Sequence, residues 1–88
     1  MQNPRSLVHA MYQHWEVLEQ IVAASRSLPA FEPAELEKII RQAAPKHSEE
    51  EMRLTTQQLI NSNVLQLLAR SSALQLNPIV LEFMRSVL

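Results

Sequence analysis

The sequence predicts a small, mainly α-helical domain that contains one short β-hairpin, in the order helix, helix, helix, hairpin, helix. Apolar residues recur at spacings of three and four over most of the chain, which is the period of one helix face. Prolines stand where three of the helices would begin, at Pro4, Pro33 and Pro78, and proline is favoured at a first helical position. Around Ser71-Ser72 the helical spacing gives way to two short apolar runs, which indicates a hairpin. The 88 residues make one domain, which we expect to be part of a longer protein.

The first predicted helix runs from Arg5 to about Ser27, with Asn3 as its N-cap. Its apolar residues form two slightly displaced stripes. One stripe holds Leu7, Met11, Leu18 and Ile21, and the other holds Val8, Tyr12, Trp15 and Val22. Because Trp, Tyr and Met are enriched in protein interfaces, we expect one stripe to face the core and the other to face a partner.

The second predicted helix begins at Glu32-Pro33 and runs from Ala34 to Ala44. Its apolar side carries Leu36, Ile39, Ile40 and Ala43. Pro45 ends the helix, because the residue before a proline is disfavoured in the α region.

The third predicted helix follows a capping box at Ser48-Glu49-Glu50-Glu51. In such a box the Ser48 side chain accepts a hydrogen bond from the Glu51 N–H, and the Glu51 carboxylate accepts one from the Ser48 N–H. The helix runs from about Glu49 to Ser62. It turns inward Met52, Leu59, Ile60 and one of Thr55 and Thr56.

The stretch from Val64 to Asn77 allows two interpretations. As a hairpin, it pairs one strand around Leu65 and Leu67 with another around Leu74 and Leu76. As a continuous helix it makes the domain an all-α bundle, since Leu, Gln, Ala and Arg are good helix formers. The new helix start at Asn77-Pro78 favours the hairpin, because a helix running straight on would not need one. The last helix runs from Pro78 to Leu88 and is apolar nearly all round.

The composition excludes several classes of site. The chain has no cysteine, which excludes disulfides and thiolate metal ligands. It has no glycine, which excludes glycine-rich phosphate loops. Its formal net charge of −1 supplies no global field to attract nucleic acid. We find no signal peptide and no apolar run near the roughly 20 residues that span a bilayer, so we expect a cytoplasmic protein that does not act at a membrane.

The order of the elements resembles the winged helix-turn-helix superfamily, in which a third helix follows a tight turn and a two-stranded wing follows that helix. The segments that carry the resemblance are the Ser48 capping box, Leu59-Ile60, Asn63-Val64-Leu65 and Leu74-Gln75-Leu76-Asn77-Pro78. The resemblance implies three helices, a short β-hairpin wing and a C-terminal helix. It also implies a module that binds a partner.

A narrower resemblance concerns the proportions of the elements. A long leading helix, an acidic cap on the third helix, a very short wing and an apolar closing helix are similar to the N-terminal winged-helix domains of kleisin-type subunits. Those subunits belong to bacterial condensin complexes of the Muk, Mks and Wadjet kind. This resemblance implies that the domain pairs with a second copy or touches another subunit, and that DNA contact is secondary.

The third helix is a poor match to a DNA-reading helix. In a winged helix that reads DNA, the first residues of this helix approach the base edges, and here they are Glu49, Glu50 and Glu51. Carboxylates repel phosphates, and DNA affinity comes mostly from lysine and arginine. The residues that remain candidates for DNA contact are Arg41, Lys46, Arg53, Gln57 and Arg70. Gln57, Gln58 and Asn61 carry amides that suit adenine edges, but they equally form the solvated face of an amphipathic helix.

Neither a metal site nor an active site is predicted. His9 and His14 are five residues apart, or roughly 140° around a helix, so they do not face one ion. The pairs His14 with Glu16 and His47 with Ser48 have no third group to orient them. We therefore expect no metal, no cofactor and no enzymatic activity.

The function that the sequence predicts is protein–protein interaction or dimerisation within a larger DNA-associated assembly, a condensin-like or defence complex. The partner is expected to be a second copy or another protein. The candidate interface residues lie on the first and last helices and are Met11, Tyr12, Trp15, Phe83, Met84, Val87 and Leu88. The alternative is a sequence-specific DNA-binding transcriptional regulator, against which the three glutamates of the third helix weigh.

Overall fold

A computed structural model describes residues 4–88, so the predicted N-cap Asn3 lies outside the described part of the chain. The described residues form five helices and one two-stranded antiparallel hairpin. The elements are α1 Pro4–Gln13, α2 Trp15–Ala24, α3 Pro33–Ala43, α4 Glu49–Asn61, β1 Leu65–Leu67, β2 Leu74–Leu76 and α5 Pro78–Val87. The mainly helical class and the hairpin are therefore confirmed, and the continuous-helix interpretation of 64–77 is wrong.

The prediction of one unbroken first helix is also wrong, because the chain divides at His14 into α1 and α2. His14 has φ −114° and ψ 32°, outside the α region. At about 100° per residue, a straight helix would place His14 in the middle of the side that carries the core residues Ala10, Met11, Leu18 and Ile21. An imidazole aimed into an apolar core without a partner is unfavourable. The break at His14 instead coincides with a hydrogen bond from its side chain to α4.

The starts of α3 and α4 are confirmed, and each helix is capped by local hydrogen bonds. Before α3, the Glu32 N–H donates to the Glu35 carboxylate at 3.1 Å. Before α4, the Ser48 N–H donates to Glu51 Oε1 at 3.1 Å, and the Glu51 N–H donates to Ser48 Oγ at 3.2 Å. This reciprocal pair is the predicted capping box.

The hairpin pairs Leu65 with Leu76, Gln66 with Gln75, and Leu67 with Leu74. Phe31, in the loop between α2 and α3, extends this small sheet on its other side. Its N–H and carbonyl exchange hydrogen bonds of 2.7 and 2.8 Å with Leu74. Leu65, Leu74 and Leu76 are buried, whereas Leu67 is exposed because β1 ends there, away from the core.

One core lies between the helices and the hairpin. Its largest fully buried side chains are Leu18, Ile21, Phe31, Leu36, Ile40, Leu59, Val64, Leu65, Val80 and Met84. Within residues 4–88, no helix has both the length and the apolar character needed to cross a membrane.

Candidate interaction surface

A shallow apolar groove of about 400 Å³ runs between α1 and α5. Its lining residues are Leu7, Val8, Met11, Tyr12, Trp15, Ile79, Val80 and Phe83. We call these residues, together with Val87 one turn beyond Phe83, the α1–α5 face. None of them is charged.

Helix periodicity brings the exposed members of this face together. Val8 and Tyr12 are four residues apart on α1, and Ile79 and Phe83 are four apart on α5, so each pair lies on one side of its helix. Tyr12 is 81% exposed and Ile79 is 73% exposed. Val8 and Phe83 follow at 62% and 48%. The two helices therefore present large apolar side chains to solvent along both walls of the groove.

The floor of the groove is formed by core residues. Met11 and Val80 are buried, and Leu7 and Trp15 are partly buried against the core. The α1–α5 face is therefore continuous with the interior of the domain.

The predicted interface residues fall into three groups. Tyr12, Trp15 and Phe83 line the groove. Met11, at the floor of the groove, and Met84, which does not line it, are core residues with almost no exposed surface. Val87 and Leu88 are exposed at the end of α5 but do not line the groove. The groove also contains Leu7, Val8, Ile79 and Val80, which are not among the predicted interface residues, although Leu7 and Val8 belong to the two predicted stripes of the first helix. Ile79 could have been predicted from the sequence, because it is four residues before Phe83 and therefore lies on the same side of the helix.

A second groove, of about 710 Å³, lies between α3 and α4 and contains two of the predicted DNA-contacting residues. Arg53 and Gln57 line it together with the carboxylates of Glu37 and Glu49. Arg41 does not line this groove, and its guanidinium lies 3.0 Å from Glu37 Oε1, both side chains being about half exposed. The cations of this region therefore lie among carboxylates.

The amide side chains of α4 already have partners within the chain. The Gln57 amide donates to Asn61 Oδ1 at 2.9 Å, and Gln58 Oε1 lies 2.7 Å from His14 Nε2.

The other two predicted cations do not line the α3–α4 groove. Lys46 is exposed in the turn before α4. Arg70 is exposed in the hairpin turn and has φ 60°, in the left-handed region. The five predicted DNA-contacting residues thus do not line one groove.

The first turn of α4 carries three glutamates, and the ionised form of one of them, Glu51, is stabilised by hydrogen bonds. The backbone N–H of Ser48, followed by its hydroxyl, keeps the pKa of Glu51 below its ordinary value of 4.5. Glu49 and Glu50 precede it in the same first turn. Three carboxylates here suit the helix dipole but repel a phosphate backbone.

His14 and His47 line one cleft of about 350 Å³ between the α1–α2 junction and the end of α3. The Nδ1 atom of His47 is buried and has no hydrogen-bond partner. Among residues 4–88, no group of three or more histidine, cysteine, aspartate or glutamate side chains is arranged to hold a metal ion.

No protein-family model matches this chain, and neither a curated protein nor a solved structure matches it.

Proposed function

We propose that this chain is a dimerisation module of the winged helix-turn-helix kind, and that a second copy of the chain covers the α1–α5 face. The winged-helix assignment is supported by the order of the last five elements. Two helices, α3 and α4, are joined by a short turn, a two-stranded hairpin follows α4, and a closing helix follows the hairpin.

The observation that carries the proposal is the extent of the exposed apolar surface. Four of the nine large apolar side chains exposed in the described residues line this single groove. Scaled by full residue areas of about 150–250 Å², the exposed parts of these four residues and of Val87 amount to roughly 600 Å². That is at the upper end of what a monomeric protein leaves exposed. It is also most of the ~800 Å² that each partner contributes to a stable interface of standard size.

The chemistry of the face favours a second copy as its occupant. An uncharged groove with aromatic and aliphatic walls requires an apolar counterpart, and the same face of a second molecule supplies one. In a twofold dimer one surface meets itself, so that a protruding side chain such as Tyr12 can enter the groove of the partner. Tyrosine and phenylalanine are typical of the buried centre of an interface.

The α3–α4 groove supports a DNA-binding regulator less well. Its two DNA-suited side chains, Arg53 and Gln57, share the groove with Glu37 and Glu49, and phosphate binding depends on unopposed lysine and arginine. A larger DNA-associated assembly, condensin-like or defensive, remains part of the proposal through the resemblance of the sequence. In such an assembly this domain would join two copies of the parent chain.

Sedimentation equilibrium tests the proposal. We expect the wild-type chain to be a dimer with a micromolar dissociation constant, because this interface is smaller than the standard size. Tyr12→Ser and Ile79→Ser remove exposed apolar area from the face and are expected to give monomers that keep the wild-type circular dichroism spectrum.

The matched controls are Leu54→Ser and Leu67→Ser. These side chains are 55% and 62% exposed but do not line the groove, so both variants are expected to dimerise like the wild type. A wild-type chain that remains monomeric at hundreds of micromolar would contradict the proposal. So would a dimer that the Leu67 variant disrupts and the Tyr12 variant does not.

A further inference from the structure

The junction between α1 and α2 determines the direction of α1, and α1 forms one wall of the groove. α1 ends at Gln13 and α2 begins at Trp15, with the non-helical His14 between them. The wall formed by Val8 and Tyr12 belongs to α1, on the N-terminal side of this break. Two backbone hydrogen bonds of 3.0 Å cross the break, from the His14 N–H to the Ala10 carbonyl and from the Leu18 N–H to the His14 carbonyl. A change in the backbone dihedrals at His14 would therefore alter the direction of α1 relative to α2.

The opposite wall is held by different contacts. Ile79 and Phe83 belong to α5, which is capped by the buried Asn77 and sends Val80 and Met84 into the core. The distance between the walls consequently depends on the direction of α1.

The side chain of His14 ties this junction to α4. Its Nε2 atom lies 2.7 Å from Oε1 of Gln58, 44 residues away in the sequence. An amide oxygen accepts and does not donate, so Nε2 carries the proton in this contact. The bond restrains the one residue of the α1–α2 segment whose backbone leaves the helical conformation.

We propose that the His14–Gln58 hydrogen bond is a positioning contact that holds α1 in the direction the α1–α5 face requires, so that α4 controls self-association. The inference rests on the proposed dimerisation. His14 itself does not line the groove between α1 and α5. Its effect on the dimer is therefore exerted through the orientation of Val8 and Tyr12.

A double-mutant cycle on the dimer dissociation constant tests this inference. His14→Ala and Gln58→Ala are each expected to weaken dimerisation about three- to tenfold, the range that one hydrogen bond accounts for. The double variant is expected to be no weaker than either single variant, because both changes remove the same contact. His14→Gln keeps a side-chain donor and is expected to recover part of the loss.

The matched control is Gln57→Ala, which removes a neighbouring amide whose bond is to Asn61 on the same helix. We expect it to dimerise like the wild type. Trp15 is the single tryptophan, adjoins His14 and lines the groove. Its emission should shift on dilution of the wild type at the same concentrations at which the dimer dissociates.

The outcomes separate this inference from the proposed function. A monomeric wild type overturns both. A dimeric wild type whose affinity is unchanged in the His14 and Gln58 variants overturns the positioning role alone. Strictly additive losses in the double variant also overturn it, since they would mean that the two side chains act separately.

Discussion

Asn77 and Asn63 are joined by a hydrogen bond in which the side-chain amide of Asn77 donates to the main-chain carbonyl of Asn63 at 2.9 Å. The same side chain accepts from the Ile79 N–H at 3.0 Å and so caps α5. The Asn77 N–H in turn donates to the Val64 carbonyl at 2.9 Å. One buried polar residue therefore links the end of α4, the start of the hairpin and the start of α5.

We expect Asn77→Ala to lower the free energy of unfolding by about 2 kcal/mol. A lost N-cap costs about 1 kcal/mol, and the Asn63 carbonyl would lose its partner in a partly buried position, which costs a similar amount. Urea unfolding followed by circular dichroism measures the change. Asn77→Ser is the control, because serine restores the cap but cannot reach Asn63, and we expect it to recover only about half of the loss. Equal stability of the Ala variant and the wild type would contradict this account.

The α4 capping box should make stability depend on pH. The pKa of Glu51 is lowered in the folded state by the Ser48 backbone N–H. A carboxyl group with a lowered folded pKa stabilises the fold above its unfolded pKa, and this contribution is lost as the pH falls through the folded value. We therefore expect the wild type to lose more stability between pH 7 and pH 3 than Glu51→Gln does.

Two neighbouring variants check that the effect belongs to the capping box. Glu50→Gln changes a carboxylate that is not part of the box and is expected to keep most of the wild-type pH dependence. Ser48→Ala is expected to cost about 1 kcal/mol at pH 7. Indistinguishable acid sensitivity in the wild type and Glu51→Gln would exclude this contribution.

Phe83 and Met84 are adjacent in the sequence, but substituting each with alanine should affect a different property of the protein. Met84 is fully buried, so Met84→Ala is expected to cost about 2–5 kcal/mol of folding stability. Phe83 is about half exposed on the groove wall, so Phe83→Ala should cost much less stability and instead weaken dimerisation. Urea unfolding and sedimentation equilibrium on both variants separate the two effects. A larger stability loss for Phe83→Ala than for Met84→Ala would be inconsistent with the arrangement of α5.

Duplex DNA should bind weakly if at all. Fluorescence anisotropy with a labelled duplex across a salt series is expected to show no saturation at micromolar protein at physiological ionic strength. The reason is that the Arg41 guanidinium is paired with Glu37 and that Arg53 shares its groove with Glu37 and Glu49. Tight binding that falls steeply with salt would indicate several phosphate contacts. If Arg53→Gln and Arg70→Gln then reduced the slope, a DNA-binding regulator would be favoured over a dimerisation module.

Local signals account for the parts of the fold that the sequence predicts. Pro33, the Ser48 box and Asn77-Pro78 act within a few residues of themselves, and they begin helices where expected. The alternating leucines around Ser71-Ser72 form the two strands, and the new start at Asn77 distinguished them from a helix. The two displaced stripes on the first helix indicated that some apolar residues there would not enter the core. This holds for Val8 and Tyr12, which are exposed, but not for Val22, which is buried.

The remaining features depend on contacts between distant parts of the chain. The break at His14 involves Gln58, and the burial of Phe31 involves Leu74. Neither pairing leaves a periodic signal in the sequence. The interface prediction shows the same limit, since Met84 and Phe83 are equally apolar and only the packing of α5 sends one into the core and the other into the groove wall.

The sequence by itself determined the helical class, most of the helix starts, the Ser48 capping box and the hairpin, because these depend on backbone propensities and hydrogen bonds between near neighbours. The tertiary structure alone decided where the first helix divides, which apolar side chains remain exposed, and that those of α1 and α5 form one face. The exposure of an apolar side chain depends on how the helices pack together. The periodicity of one helix does not specify how much of its surface the neighbouring elements cover.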